Sequence, residues 1–87
     1  MRQGKRIAAV IPALNEEQAI GHVLGALPEW IDEVIVVDNG STDATSAIAF
    51  RAGAHIVSEP RRGYGSACQA GIAAAGDAEI FLFLDGD

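Results

Sequence analysis

Val34-Ile35-Val36-Val37-Asp38-Asn39-Gly40-Ser41-Thr42-Asp43 is the stretch whose reading decides the fold. Four consecutive β-branched residues suit a strand buried on both faces of a parallel sheet. The polar run after them makes a turn and caps a helix. In open α/β sheets ligands bind outside the carboxyl ends of the strands, so Asp38 is placed for recognition. A simpler reading has Asp38, Asn39 and Asp43 only shaping the turn and capping the next helix.

With 87 residues the chain makes one small domain, burying about 60–65% of its unfolded surface and correspondingly marginal in stability. Its composition is 49% hydrophobic with a net charge of −6, which fits a globular protein and argues against a nucleic-acid binder. An anionic ligand would need local positive potential. The lone Cys68 excludes an internal disulfide and fits a reducing compartment. The opening Met1-Arg2-Gln3-Gly4-Lys5-Arg6 faintly imitates a secretory leader, but Asn15-Glu16-Glu17 ends the apolar run early and no small-residue cleavage site follows. The expectation is a cytoplasmic protein, peripheral at most to the inner membrane surface in a longer form. No apolar run reaches the length of a membrane span, and there are no repeats.

Working outward, Ile7 to Ile11 reads as a first buried strand stopped by Pro12. Asn15 with Gln18 resembles a capping box, and Ile20, Val23, Leu24 and Leu27 share one face of a helix ending before Pro28. Glu16 and Glu17 fall in its first turn, where the helix dipole favours negative charge. His22 falls on its polar side and Trp30 reads as a packing anchor. After the central stretch, a second helix capped by Thr42 or Asp43 runs to about Ala52, with Gly53 as its stop. Ala54 to Val57 is a third strand, Ser66 to Ala75 a third helix, and Ile80 to Leu84 a fourth strand. The first two crossovers, if right-handed, set strands two and three to one side of strand one, and the third returns to its other side. The expected architecture is α/β, with a parallel sheet in the order 3-2-1-4. Pro12 to Glu16 and Asp85 to Asp87 then line one crevice with Asp38 beside it.

Asp85 and Asp87 flank Gly86 at the end of the fourth strand. Two carboxylates about 4 Å apart repel by roughly 4 kcal/mol at an effective dielectric near 20. A divalent cation relieves this, and oxygen-only ligands suit Mg or Mn. Asp-Gly-Asp also occurs as an ordinary turn. In Arg61-Arg62-Gly63-Tyr64-Gly65 two cations and two glycines precede a helix, an arrangement able to hold a diphosphate. The same arginines also read as solvated surface charge. Gly63-x-Gly65-x-x-Cys68 approaches a dinucleotide fingerprint, but it follows the third strand and lacks the last glycine or alanine, so a dehydrogenase is rejected.

Pro12-Ala13-Leu14-Asn15-Glu16-Glu17, Val36 to Asp43, Arg62-Gly63-Tyr64-Gly65 and Phe83-Leu84-Asp85-Gly86-Asp87 together resemble family 2 glycosyltransferases, in order and over nearly the whole chain. The resemblance implies the Rossmann-like, three-layer GT-A fold. It also implies nucleoside contacts from Pro12, Leu14 and Glu16, a base contact from Asp38, and base or phosphate contacts from Arg62 and Gly63. Asp85 and Asp87 would serve the ribose and a divalent metal. The donor would be a UDP- or GDP-sugar. Gly-Tyr-Gly-Ser-Ala-Cys is most similar to the dolichyl-phosphate mannosyltransferase-like branch, which implies a polyprenyl phosphate acceptor and inverting transfer.

Family members are much longer, so residues 1–87 correspond to the nucleotide-sugar-binding part, and no catalytic residue is assigned. A non-catalytic nucleotide-binding module is the first alternative. The second is a haloacid dehalogenase-like phosphatase, whose nucleophile motif Leu82-Phe83-Leu84-Asp85-Gly86-Asp87 resembles, though that motif normally follows a first strand. Finally, Ile80 to Leu84 has no charge, proline or alternation to protect a sheet edge. Self-association through that strand is expected.

Overall fold

The computed structural model describes residues 1–61 and 63–84. Arg62, Asp85, Gly86 and Asp87 lie outside the described residues, and with them fall three of the expected ligand contacts. The chain runs β1 (Ile7–Ala13), α1 (Ile20–Gly25), β2 (Glu33–Asp38), α2 (Thr45–Arg51), β3 (His55–Ser58), α3 (Tyr64–Ala74) and β4 (Ile80–Phe83). All pairings are parallel, and the sheet order is β3-β2-β1-β4, as expected.

Side-chain alternation sorts the core into two layers. Ala8 and Val10 of β1 and Ile35 and Val37 of β2 face α3, where they meet Ala67 and Ala75. Ile11, Ala13 and Val36 face the other way, toward Ile20 of α1 and Ala49 of α2. Because both faces are covered, β1 and β2 are continuous apolar runs.

The largest departure from expectation in β1 is at Pro12, which lies within the strand, paired in register with Val37. The hydrogen-bond pattern explains its tolerance. On the β4 side Arg6 O accepts from Glu79 and Ile80 N–H, and Val10 O accepts from Leu84 N–H at 3.0 Å; on the β2 side Ile7 O accepts from Asp32 N–H and Ala13 O from Asn39 N–H. Residue 12 shares the side of residues 6, 8 and 10. Its missing N–H is therefore lost only toward β4, just beyond the last bond of that ladder among the described residues, so pairing with β2 is intact.

Helix α1 begins only at Ile20, so Glu16 and Glu17 precede it and do not fall in its first turn as expected; other boundaries shift by one or two residues. Helix α1 ends at Gly25, because the next amides bond back only within a tightening turn. Gly53 ends α2 with φ +95°, a conformation glycine adopts without steric cost. His22 and His55 are exposed. Trp30 is half-buried under Arg2, whose guanidinium carbon sits 4.9 Å from the ring centroid. Edge strand β4 leaves Ile80 and Phe83 partly exposed, while Phe81 packs on the α3-side core. No described helix is long and apolar enough to cross a membrane.

Helix α3 approaches the sheet through small residues. Ala67, Gly71 and Ala75 fall on one stripe, and a Cβ added at Gly71 would lie 2.3 Å from Val10 Cγ1. Gly71→Ala is expected to lower stability by about 1 kcal/mol or more, because overpacking outweighs the gain in helix propensity. At Gly21 the same added atom meets only Ile48 Cγ2 at an ordinary 3.5 Å, so Gly21→Ala should instead stabilise by roughly 0.5–1 kcal/mol. Urea unfolding of both variants measures the contrast.

Candidate functional site

The carboxyl ends of β1, β2 and β3 and the start of α3 meet at one end of the sheet. Beyond β2 the ladder continues for one residue: Asn39 N–H donates to Ala13 O, and Glu59 N–H to Asp38 O, each at 2.9 Å. Asn39 is thus held as though it were one more strand residue, 8% exposed. Its side-chain amide donates to the carbonyls of Glu59 at 2.7 Å and Arg61 at 2.8 Å. Both N–H donors are spent on the β3–α3 loop, which leaves Oδ1 as the group Asn39 can offer a ligand.

Around it lies a cleft of about 240 Å³, walled by Pro12, Ala13, Leu14 and Glu16 on one side and by Gly63 and Tyr64 on the other. Four of the expected ligand contacts, Pro12, Leu14, Glu16 and Gly63, are therefore brought together. Gly63 has φ +114° and caps the eleven-residue α3, which carries no acidic residue in its first turn. The dipole of α3 gives the cleft a positive end.

Asp38 does not line this cleft, and alternation gives the reason. Residues 34, 36 and 38 face α1 and α2, whereas 35, 37 and 39 face α3. The Asp38 carboxylate is turned into its own loop, accepting Ser41 N–H at 2.8 Å and the Ser46 hydroxyl. Burial works against its charge, but the hydrogen bonds from Ser46 and Ser41 outweigh it and hold the carboxyl below its ordinary value. Arg61 also departs from its expected role. Its guanidinium is clasped by the buried Glu59, Nη2 to Oε1 at 3.1 Å and Nε to Oε2 at 3.2 Å. The Arg61 side-chain hydrogen bonds in turn lower the Glu59 carboxyl.

The expected Asn15–Gln18 capping box is replaced by bonds between loops. Asn15 N–H donates to Ser41 Oγ and Glu16 N–H to Thr45 Oγ1, each at 2.9 Å, and Glu17 N–H donates to Asp43 Oδ2 at 3.3 Å. In return Thr42 N–H donates to Asn15 Oδ1 at 2.8 Å and Ala44 N–H to Glu17 Oε2 at 3.1 Å. The N-cap of α2 is Ala44 and makes no side-chain cap bond; Asp43, one residue before it, accepts Thr45 N–H at 2.9 Å together with its hydroxyl, and that hydroxyl bond is the main reason its carboxyl is lowered.

A larger hollow of about 330 Å³ lies behind this seam, lined by Asn15, Glu16, Glu17, Gln18, Ala19 and Asp43. It has three carboxylates and no cation in its lining, and the Asp43 and Glu17 carboxylates already accept the bonds just described, so the smaller cleft is the better anion site. Among the described residues no three His, Cys, Asp or Glu side chains converge to hold a cation. A metal would rest on Asp85 and Asp87, whose oxygen-only donors suit Mg or Mn.

Comparison with known proteins gives a consistent answer. The model of "Glycosyl transferase family 2" matches residues 8–87. An uncharacterised glycosyltransferase of Mycobacterium tuberculosis is 46% identical over 84 residues, 97% of this chain and 38% of that protein. Glucosyl-3-phosphoglycerate synthase of Mycolicibacterium smegmatis is 38% identical over 98 aligned positions, covering 99% of this chain and 32% of that one. The crystal structure of the M. tuberculosis synthase with Mn2+, UDP-glucose and glycerol 3-phosphate superposes with a TM-score of 0.87 at 38% identity, over 97% of this chain and 34% of that one. The expected GT-A architecture is that of these structures. The chain spans about a third of the length of these relatives.

The lowered carboxyls predict acid sensitivity. Unfolded carboxyls titrate near pH 4, whereas Asp38, Asp43 and Glu59 hold their charge to lower pH in the fold. Below about pH 4 the unfolded chain binds more protons, so stability present at neutral pH is lost as pH falls through the folded values. Urea midpoints between pH 7 and 3 should fall accordingly. Asp38→Ala should flatten that slope and cost about 1.5–3 kcal/mol at pH 7, the range for hydrogen bonds to a charged group.

Proposed function

This chain belongs to glycosyl transferase family 2, and from that premise we propose that it binds a nucleotide-sugar donor, a UDP-sugar first, in the cleft between β1 and α3. The observation that carries the reading is the pairing of apolar walls with the buried Asn39 acceptor. Pro12, Leu14 and Tyr64 give a base flat apolar surfaces and exclude water from it. The complement of Asn39 Oδ1 is an N–H, which uracil presents at N3 and guanine at N1, where cytosine and adenine present acceptor nitrogens. In this reading Asn39 takes over the base contact expected of Asp38. Glu16 offers a carboxylate to ribose hydroxyls. The start of α3 attracts the diphosphate, with Arg62 as the adjacent cation. Asp85 and Asp87 would hold a divalent ion, Mn or Mg, which when bound neutralises the departing nucleoside diphosphate.

For the whole protein the proposal is sugar transfer to a small phosphorylated acceptor. Solved relatives carry glycerol 3-phosphate or phosphoglyceric acid beside UDP-glucose. A polyprenyl phosphate acceptor, implied by the dolichyl-phosphate branch, draws no support from these relatives. The phosphatase alternative is not favoured either, since its motif would follow β4 rather than β1. Self-association through β4 belongs to the same proposal: Ile80 and Phe83 are 36% and 40% exposed on an edge strand.

Calorimetric titration with UDP, GDP, CDP and ADP, with and without Mn2+, tests the donor assignment. UDP should bind best, and chelation or Asp87→Ala should weaken it. Asn39→Ala removes the ligand acceptor together with the donors to the Glu59 and Arg61 carbonyls, so it should cost about tenfold or more in affinity and also lower the urea midpoint. Equal affinity for all four nucleotides, or none, overturns the reading. Light scattering at tens of micromolar should show dimers or larger species; a monodisperse monomer rejects the edge pairing.

A further inference from the structure

The nucleotide reading leaves Asn15 unused, yet Asn15 has the least ordinary backbone near the cleft. Its φ is +53°, in the left-handed region where asparagine is among the few tolerated side chains. It sits between Leu14 and Glu16, both on the cleft wall. Its own side chain turns away from the cleft, and Oδ1 accepts Thr42 N–H at 2.8 Å, with the Thr42 hydroxyl at 3.5 Å. Its N–H is taken by Ser41 Oγ, and that of Glu16 by the fully buried Thr45. The cleft wall is therefore fastened to the β2–α2 loop, and Asn15 supplies both the turn and the hook.

We propose that Asn15 is a positioning residue for the nucleotide cleft, locking the β1–α1 loop onto the β2–α2 loop so that Leu14 and Glu16 stay on the cleft wall. The inference rests on the nucleotide reading above. It acts through an acceptor and a left-handed backbone, and these two requirements can be separated. Aspartate keeps the acceptor and tolerates the backbone, and because its charge adds to the Glu17 and Asp43 carboxylates nearby it is compared at high ionic strength, where exposed charges are screened. Glycine keeps only the backbone. Alanine keeps neither.

The test compares Asn15→Asp, Asn15→Gly and Asn15→Ala in the full chain, using UDP with Mn2+, pyrophosphate with Mn2+, and hydrogen exchange at the Glu16 amide. Asn15→Asp should stay within about twofold of the parent in every measurement. Asn15→Gly should lose about tenfold in UDP affinity, the loss of a hydrogen bond with its ordering. Its Glu16 amide should exchange at least tenfold faster, and its pyrophosphate affinity should be unchanged, because the phosphates are held from α3. Asn15→Ala should lose more. A purely structural role would lower UDP and pyrophosphate affinity together with the melting temperature, and that result overturns the proposal. So does an Asn15→Gly variant with parental UDP affinity or parental Glu16 exchange. If the parent chain binds no UDP, the donor reading fails, while Glu16 exchange in the three variants still reports whether the hook exists.

Discussion

Along β1 the backbone groups alternate between two neighbouring strands, and Pro12 is where that alternation fails on one side. Residues 7 and 13 bond toward β2; residues 6 and 10 bond toward β4. A residue with no N–H at position 12 leaves the β2 ladder whole and offers no donor toward β4. Strand order 3-2-1-4 reverses the direction in which strands are added between β1 and β4, where open sheets leave a crevice.

Much of this was legible in the sequence because the signals were local. Continuous β-branched and apolar runs marked β1, β2 and β4, Gly53 marked the stop of α2, and crossover handedness with a return to the far side of β1 gave the sheet order. Pro12 was misread as a stop because a proline's cost depends on which neighbour its nitrogen faces, and that is a property of the assembled sheet. The capping at Asn15 was misread for a related reason. Its partners, Ser41 and Thr42, lie 26 and 27 residues away, whereas a capping box is a pattern of four adjacent residues. Asp38 lies off the cleft and Asn39 lines it. Period-two alternation from Val34 already separates residue 38 from residue 39, and the charged residue was preferred over the one on the cleft's side. Tyr64 was visible only as part of a glycine-rich loop.

A chain with a net charge of −6 must still present a cleft that an anion will enter. Several of its carboxylates are consumed by the scaffold. Asp32 accepts the terminal amine and Ile7 N–H, Asp38 and Asp43 shape the β2–α2 loop, and Glu59 clasps Arg61. Each is held charged by donors that point away from the cleft. The excess negative charge thus serves as internal wiring for turns, and the cleft keeps Glu16 as its one described carboxylate.

The stripe of Ala67, Gly71 and Ala75 sets more than the packing of α3. The helix rests on Val10 almost through its backbone, so its height above the sheet is fixed by the absence of a single carbon at residue 71. Gly63 and Tyr64, which form one wall of the cleft, begin that same rigid rod, about 12 Å along its axis at 1.5 Å per residue. Residue 71 therefore behaves as a shim under a lever. Added thickness at Gly71 would tilt the helix and widen the cleft at its far end, so the fit of a ligand is gauged partly by a glycine that never touches it.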